Sequence, residues 1–172
     1  VSVNVSAGQL EDPAFATRVT EALHASGLEP RALTLEVTEQ ALADRSTDGR
    51  AHLVTLRERG ILVAIDDFGT GLSSLGRLAE QPIDLLKLPG AFLAVGGEGD
   101  RPGFAHSLVA LGRSLGIPTA VEGIENAGQA DHAVALGADF AQGFHFAPAM
   151  PAESFAEWLR SSSSVPLVAP AR

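Results

Sequence analysis

Two adjacent acidic residues, Asp66 and Asp67, directly follow a run of five apolar residues from Ile61 to Ile65. A run of this length, with glycine nearby on both sides, is typical of a buried strand in a parallel sheet. A buried strand has no structural need for two carboxylates at its end, and neighbouring carboxylates repel each other unless a cation lies between them. The pair therefore indicates a divalent-cation site, with a turn or a helix N-cap as the structural alternative.

Polar residues also lie at the ends of the other predicted strands. The carboxyl ends of parallel strands meet at one face in α/β folds, and the loops there surround the ligand. The set supplies oxygen atoms and one ammonium group but no thiolate or imidazole, which suits Mg²⁺ or Mn²⁺ better than zinc or copper. Any one of them could be a satisfied buried polar group, but six successive strand ends in register favour a common site. These residues are Asn4, Glu36, Asp66, Asp67, Lys87, Glu122 and Gln142.

Strand and helix patterns alternate strictly along the 172 residues, in six units. Such alternation predicts parallel strands joined by right-handed crossovers. We therefore predict an α/β fold, a TIM-type (β/α)8 barrel without its first two strands, since a complete barrel has eight strands and about 250 residues. An open doubly wound sheet is the alternative, although no glycine fingerprint follows the first strand. The barrel is expected over residues 1–160, and a flexible C-terminal tail over residues 161–172.

Local signals predict several boundaries. Residues 1–6 alternate as a strand, and Asp12 with Pro13 predicts the N-cap and first position of a helix. A short helix is expected over residues 73–80 and a glycine-rich loop over residues 95–103. The last two strands are expected over residues 118–125 and 140–146.

The bulk composition restricts the partners and the compartment. A net charge of −9 argues against a nucleic-acid polymer but permits a phosphate ligand held through metal ions. The absence of cysteine excludes disulfides and fits a reducing compartment. No apolar run approaches the roughly 20 residues that span a membrane, and the sequence shows no signal peptide. We expect a cytoplasmic protein without a membrane segment and, because no Met begins the chain, a fragment of a longer one.

Lys87 is the only lysine among the twelve basic residues, of which the other eleven are arginine. A position that kept lysine in such a sequence indicates a need for ammonium chemistry, with chance as the alternative. The five histidines share no spacing, so packed or solvated side chains explain them better than a metal site.

Six short motifs follow one another in the chain: Asn4-Val5-Ser6, Leu35-Glu36-Val37-Thr38-Glu39, Asp66-Asp67-Phe68-Gly69-Thr70-Gly71, Leu86-Lys87-Leu88, Glu122-Gly123-Ile124-Glu125 and Gln142-Gly143-Phe144. In order and spacing they resemble the EAL family, the bacterial cyclic-di-GMP phosphodiesterases, over residues 1 to about 159. The Asp-Phe-Gly stretch also occurs in protein kinases, but no kinase lysine strand, catalytic loop or glycine-rich phosphate loop accompanies it.

The resemblance implies a modified TIM barrel with two divalent cations, Mg²⁺ or Mn²⁺, and a water that opens cyclic-di-GMP to linear pGpG. In the family such paired cations stabilise the attacking and leaving oxygens and lower the pKa of the water. Asp66 would bridge the two ions. The metal ligands implied in this sequence are Asn4, Glu36, Asp66, Asp67 and Glu122.

The resemblance also implies roles outside the metal ligands. Lys87 would orient or activate the attacking water, and Glu122 would be a candidate base. Gln142 and Glu125 would support the site from the substrate side. Glu39, with the loop of residues 68–74, would correspond to the element that links dimer contacts to the metal site.

Two departures separate this sequence from the family pattern. The Glu-Ala-Leu stretch, with its metal-binding glutamate, belongs to the strand before this chain, and Pro89 stands where the family has an aspartate. We therefore expect weak binding of the second ion. The alternative function is a degenerate, inactive domain that acts as a cyclic-di-GMP receptor or a protein-interaction module. A homodimer and preceding regulatory domains are the other expected partners.

Overall fold

The computed structural model describes residues 1–43, 47–71, 78, 81–93 and 103–161. Within them, six parallel strands form one sheet in which each strand pairs with the next along the chain. The strands are short, and β2 to β5 bury most of their residues, whereas β1 is exposed except for Val5. Their bounds are β1 Ser2–Val5, β2 Thr34–Thr38, β3 Leu62–Asp66, β4 Leu85–Leu88, β5 Thr119–Val121 and β6 Phe140–Ala141.

Helices occupy the connections between these strands. Gly27, Gly116 and Gly137 end three of them in the left-handed conformation that glycine adopts without strain. Two short 3₁₀ helices cover Pro30–Ala32 and Gly90–Leu93. The α-helices are α1 Ala7–Leu10, α2 Phe15–Ser26, α3 Glu39–Ala43, α4 Thr47–Glu58, α5 Phe104–Leu115, α6 Ala127–Leu136 and α7 Ala152–Ser161.

The strand order identifies the architecture. A doubly wound sheet reverses its direction of growth at a switch point, whereas the order here follows the chain from β1 to β6 without reversal. Sequential parallel order with helical crossovers is the topology of a (β/α) barrel. The predicted fold, a TIM-type barrel without its first two strands, is confirmed.

Two groups of buried side chains hold the helices to the sheet. Leu53 and Leu56 of α4 lie in the group that covers the first three strands, and neither is exposed to solvent. Leu108 of α5 lies in the group that covers β4 and β5, together with Leu86 and Val121. Burial of such side chains is the main favourable term for the fold.

Some boundaries differ from those predicted. Helix α2 begins at Phe15, not at Pro13, because Asp12 Oδ1 accepts the Ala14 N–H at 2.8 Å in a turn ahead of the helix. Residue 6 leaves the first strand to cap α1, where Ser6 and Gln9 form a capping box.

The last two strands end earlier than the sequence suggested. Beyond them the two segments stay in contact: the Ile124 N–H donates to the Gln142 carbonyl at 3.0 Å, and a Cβ on Gly143 would lie 2.1 Å from the Ile124 carbonyl oxygen. The polar residues after these strands, from Glu122 and from Gln142 onward, therefore lie in loops.

Parts of three predicted segments lie outside the described residues. Of the expected helix over residues 73–80, the structure describes the helical, buried Leu78 and no neighbour before Gln81. Residues 95–102 of the predicted loop and 162–172 of the predicted tail are likewise not described, so the division into barrel and tail stays a prediction. Among the described helices, none combines the length and the apolar character needed to cross a membrane.

Candidate metal centre

Strand register places the strand-end polar residues on one face of the sheet. Asn4 pairs with Glu36, and Glu36 pairs with Ala64, so these side chains point the same way. Two residues further along β3, Asp66 lies on the same face as Ala64.

The same alternation continues across the second half of the sheet. Ala64 pairs with Leu85, two residues before Lys87, and Lys87 pairs with Ala120. Ala120 is two residues before Glu122 and pairs with Phe140, which is two residues before Gln142. The sheet therefore directs residues from six separate strands, or from the loops that continue them, toward one site.

Three carboxylates meet at this face. Glu36, Asp66 and Glu122 each offer an oxygen atom, and these atoms all lie within 4.8 Å of one another. Glu36 is 6% exposed, and the other two are partly buried. Oxygen donors at this spacing fit a hard divalent cation such as Mg²⁺ or Mn²⁺. We call these three residues the carboxylate cluster.

Lys87 projects into the carboxylate cluster from β4. Its side-chain nitrogen lies 2.5 Å from Glu36 Oε2 and 3.7 Å from Asp66 Oδ1, and it also forms an ion pair with Glu122 Oε1. The residue is only 4% exposed, so its four-carbon stem crosses the apolar wall of the strand to reach the acids. The one lysine of the chain thus contacts all three carboxylates.

Burial and charge shift two of these groups. Burial raises the pKa of Glu122, the charges of Asp66 and Glu36 raise it further, and the hydrogen bond and charge of Lys87 oppose the rise without cancelling it. Burial by itself lowers the pKa of Lys87, but its hydrogen bonds and charge interactions with Glu122 and Glu36 outweigh burial, so that this pKa is raised. Lys87 is therefore protonated, and Glu122 is the acid best suited to take up a proton.

Asp67 and Asn4 lie at the edge of this arrangement. Asp67 has a positive φ of 53°, and its backbone N–H donates to Asp66 Oδ1 at 3.1 Å. This turn separates the directions of the two aspartates, and in the described part of the chain only Asp66 joins the carboxylate cluster. Asn4 lies beside Glu36 in register and is exposed.

Glu39 supports the loop that follows the aspartates. Its Oε2 accepts the backbone N–H of Gly69 at 3.1 Å and that of Gly71 at 3.4 Å. A Cβ on Gly71 would lie 2.7 Å from Glu39 Oε1, so a side chain at this position would displace the carboxylate. The backbone N–H of Phe68 donates to the Lys87 carbonyl at 2.9 Å. Glu39 thus contacts the loop beside the site and not the carboxylate cluster itself.

Gln142 and Glu125 occupy the loops after β6 and β5. Gln142 donates its backbone N–H to the Val121 carbonyl at 2.8 Å, and its own carbonyl accepts the Ile124 N–H at 3.0 Å. The backbone N–H of Glu125 donates to Gln129 Oε1 at 2.7 Å. Both residues are exposed, and Glu125 is not among the acids that come together with Glu36.

Gly90 is a positioning residue that the sequence reasoning missed. A Cβ at this position would lie 2.3 Å from the Glu122 carbonyl oxygen. The chain after β4 can therefore pass this close to the Glu122 backbone only because residue 90 is glycine. The available signal was the Pro89-Gly90 pair directly after a strand, which is typical of a turn. Pro89 itself carries no ligand atom, and its carbonyl accepts the Phe92 N–H at 3.0 Å.

Comparisons with known proteins agree with this geometry. Residues 1–149 match the family described as EAL domain. The cyclic di-GMP phosphodiesterase RocR of Pseudomonas aeruginosa is 36% identical over 163 residues, which cover 94% of this chain and 42% of that protein. The chain spans about half or less of the length of such curated relatives.

Solved structures give the same result. The PaMucR phosphodiesterase in its c-di-GMP complex superposes with a TM-score of 0.83 at 35% identity, covering 90% of this chain and 63% of that one. BlrP1 of Klebsiella pneumoniae, in a manganese and cy-diGMP complex, superposes with a TM-score of 0.74 at 30% identity, covering 83% and 37%. With the family match, the sheet order and the site in agreement, the chain belongs to the EAL domain family.

Proposed function

We propose that this chain is a metal-dependent phosphodiesterase domain that hydrolyses cyclic-di-GMP to linear pGpG in bacterial second-messenger signalling. The observation that carries the proposal is the carboxylate cluster with Lys87 at its centre, at the carboxyl ends of the strands. The relatives RocR and PaMucR, both named as phosphodiesterases, support the choice of reaction. PaMucR and BlrP1, solved with c-di-GMP, support the choice of substrate.

The carboxylate cluster would hold the divalent cations, Mg²⁺ or Mn²⁺, with Asn4 and Asp67 as further candidate ligands. The donor set fits such ions because three carboxylate oxygens lie within 4.8 Å of one another, and one of them, Glu122 Oε1, is buried. When bound, a divalent cation lowers the pKa of a water molecule and stabilises the oxygens of the phosphodiester that gain charge.

The side chains of this protein supply the proton transfer and part of the charge. Glu122 is the candidate base that accepts a proton from the attacking water, because its carboxylate lies in the carboxylate cluster beside Lys87. A bond forms between the water oxygen and phosphorus, one phosphorus–oxygen ester bond breaks, and the departing sugar oxygen takes up a proton from bulk water, while Glu122 returns its proton to the solvent. Lys87, held protonated, orients the water or a phosphate oxygen. Gln142 and Glu125 would face the substrate from the loops beyond the strands.

The test is conversion of cyclic-di-GMP to pGpG by the chain with Mn²⁺, followed by chromatography. Replacing Glu122 by Gln keeps the shape of the side chain but removes the base, and we expect at least about a 10²-fold loss of rate. Glu21→Gln, an exposed change on α2 away from the site, is the matched control and should retain the rate. Equal rates for Glu122→Gln and Glu21→Gln would remove Glu122 from the mechanism.

A second function, a receptor that binds cyclic-di-GMP or a protein partner without hydrolysis, is favoured by Pro89. A proline at this position offers no oxygen ligand where the family has an aspartate. Two measurements on the same sample distinguish these functions: calorimetry detects binding of the dinucleotide, and the chromatographic assay detects product. Binding with turnover far below about 1 per second indicates the receptor.

The proposal also includes the assembly of the domain and its location in the cell. We expect a cytoplasmic domain that follows regulatory domains in a longer protein and forms a homodimer, with Glu39 and the loop of residues 68–74 linking the dimer contacts to the metal site. The long relatives support the first point, since RocR is more than twice the length that this chain covers. The support that Glu39 gives to the described part of that loop, through Gly71, is consistent with the second. Light scattering of the chain with and without Mn²⁺ measures the oligomer directly.

A further inference from the structure

The ammonium group of Lys87 lies inside the same set of oxygens that would bind a metal ion. It is 2.5 Å from Glu36 Oε2 and 3.7 Å from Asp66 Oδ1, and it contacts Glu122 Oε1. Those three residues are the complete carboxylate cluster. Within the described residues, the three acids that Lys87 neutralises are thus the same three acids that would hold a metal ion.

The charge and the position of the Lys87 ammonium both oppose the binding of a divalent ion. Three carboxylates and one ammonium leave two negative charges, which a single dication would neutralise. A dication bound to carboxylate oxygens at about 2.0–2.2 Å would lie only a few ångströms from the Lys87 nitrogen. Two positive centres at that distance repel strongly in a partly buried site.

Lys87 has little freedom to withdraw from the acids. Its side chain is 5% exposed, and the residue pairs with Ala120 in the sheet while its carbonyl accepts the Phe68 N–H at 2.9 Å. The anchored backbone and the buried stem keep the ammonium at the site.

We propose that Lys87 is a tethered competitor for the divalent cation: its ammonium competes for Glu36, Asp66 and Glu122 and so weakens metal binding in this chain. The inference rests on the proposed function, since it assumes that the carboxylate cluster is the metal site. It adds that this domain binds its ion more weakly than its three carboxylates alone would.

The experiment is a titration of the 172-residue chain with Mn²⁺, in which the electron paramagnetic resonance signal reports free ion. Lys87→Met removes the charge and keeps an unbranched apolar stem. We expect Lys87→Met to bind Mn²⁺ at least about tenfold more tightly than the natural chain. Arg57→Met is the matched control, because it breaks an ion pair with Asp84 at the opposite end of the sheet and should leave Mn²⁺ affinity unchanged.

Thermal unfolding with EDTA and with Mn²⁺ gives a second measurement. Lys87→Met leaves three acids without a counter-ion, so we expect a lower Tm in EDTA and a larger rise with Mn²⁺ than for the natural chain. A variant that folds only when Mn²⁺ is present supports the inference in the same way.

The outcomes separate the two proposals. If the natural chain binds Mn²⁺ and Lys87→Met binds it no more tightly, the competition is refuted and the metal site stands. If only Lys87→Met binds Mn²⁺, the competition is supported and metal-dependent hydrolysis by the natural chain is refuted. If neither binds Mn²⁺, both proposals fall.

Discussion

The two ends of the sheet use acidic residues in opposite ways. At the amino end, Asp84 accepts the Val63 N–H at 3.0 Å and donates its own N–H to the Val63 carbonyl at 2.8 Å. Asp139 repeats this exchange with Thr119, at 2.8 Å and 3.0 Å. Each of these aspartates precedes a strand and fastens it to the strand before it. Backbone N–H groups donate to both carboxylates, and Asp84 also forms an ion pair with Arg57.

At the carboxyl end, three carboxylates share one ammonium. Glu36, Asp66 and Glu122 lie within 4.8 Å of one another, and Lys87 contacts all of them. Burial raises the pKa of Glu122, the charges of Asp66 and Glu36 raise it further, and Lys87 opposes the rise. The comparison teaches that the aspartates which fasten the strands are held by backbone N–H groups and, for Asp84, also by Arg57, whereas the acids of the candidate site are crowded around one ammonium group.

The largest expected effect comes from changing the shared cation. Lys87→Arg keeps the charge but replaces a compact ammonium with a wide planar group. We expect hydrolysis of cyclic-di-GMP to fall by about 10²-fold or more if Lys87 takes part in the proton-transfer step. The measurement is the rate of pGpG formation, with circular dichroism to verify folding. A variant as active as its parent would show that Lys87 serves only as a counter-ion.

An intermediate effect is expected at the amino end. Asp139→Ala removes the acceptor of the Thr119 N–H. Thr119, the donor residue, is only 1% exposed. We expect a loss of about 1–3 kcal/mol in the free energy of unfolding, because a buried donor is left without its partner. Denaturant titration measures this loss. Mn²⁺ affinity should stay at the parent value, and a parallel loss of metal binding would contradict the division between the two ends.

The smallest effect is a gain at the carboxyl end. Pro89→Asp places a carboxylate two residues after Lys87, on the same side of the chain and in a partly exposed position. We expect Mn²⁺ affinity to rise about tenfold, since one more anionic oxygen ligand joins the site. The free-ion titration measures it. Pro89→Ala, which lacks the carboxylate, controls for loss of the proline and should leave affinity unchanged.

Much of the fold could be predicted because its signals are local. The apolar run from Ile61 to Ile65 and the strict alternation of strand and helix patterns specify parallel strands whatever the rest of the chain does. The positions of polar residues at strand ends follow from the same patterns. The sequence also placed Glu36, Asp66 and Glu122 in one candidate site, since strand periodicity fixes which face each side chain takes.

Sequence patterns did not predict the direction of a side chain where that direction depends on the backbone beyond the end of a strand. Asp66 and Asp67 are chemically identical neighbours, yet the positive φ of Asp67 leaves only Asp66 among the clustered acids. Glu36 and Glu39 are three residues apart, but one lies in β2 and the other begins α3, so Glu39 contacts the loop at Gly69 instead. The ends of β5 and β6 were also placed too late: their regular pairing ends at Val121 and Ala141, although backbone hydrogen bonds between the following loops continue beyond it.

The sequence by itself therefore determined the order of the elements, the face on which each strand-end residue lies and the chemical character of the donor set. Only the tertiary structure decided that Lys87 contacts all three carboxylates and that Gly90 passes against the Glu122 backbone. The reason is physical: periodicity is a property of each strand alone, whereas distances between side chains of different strands depend on how the strands pair and how closely their loops approach.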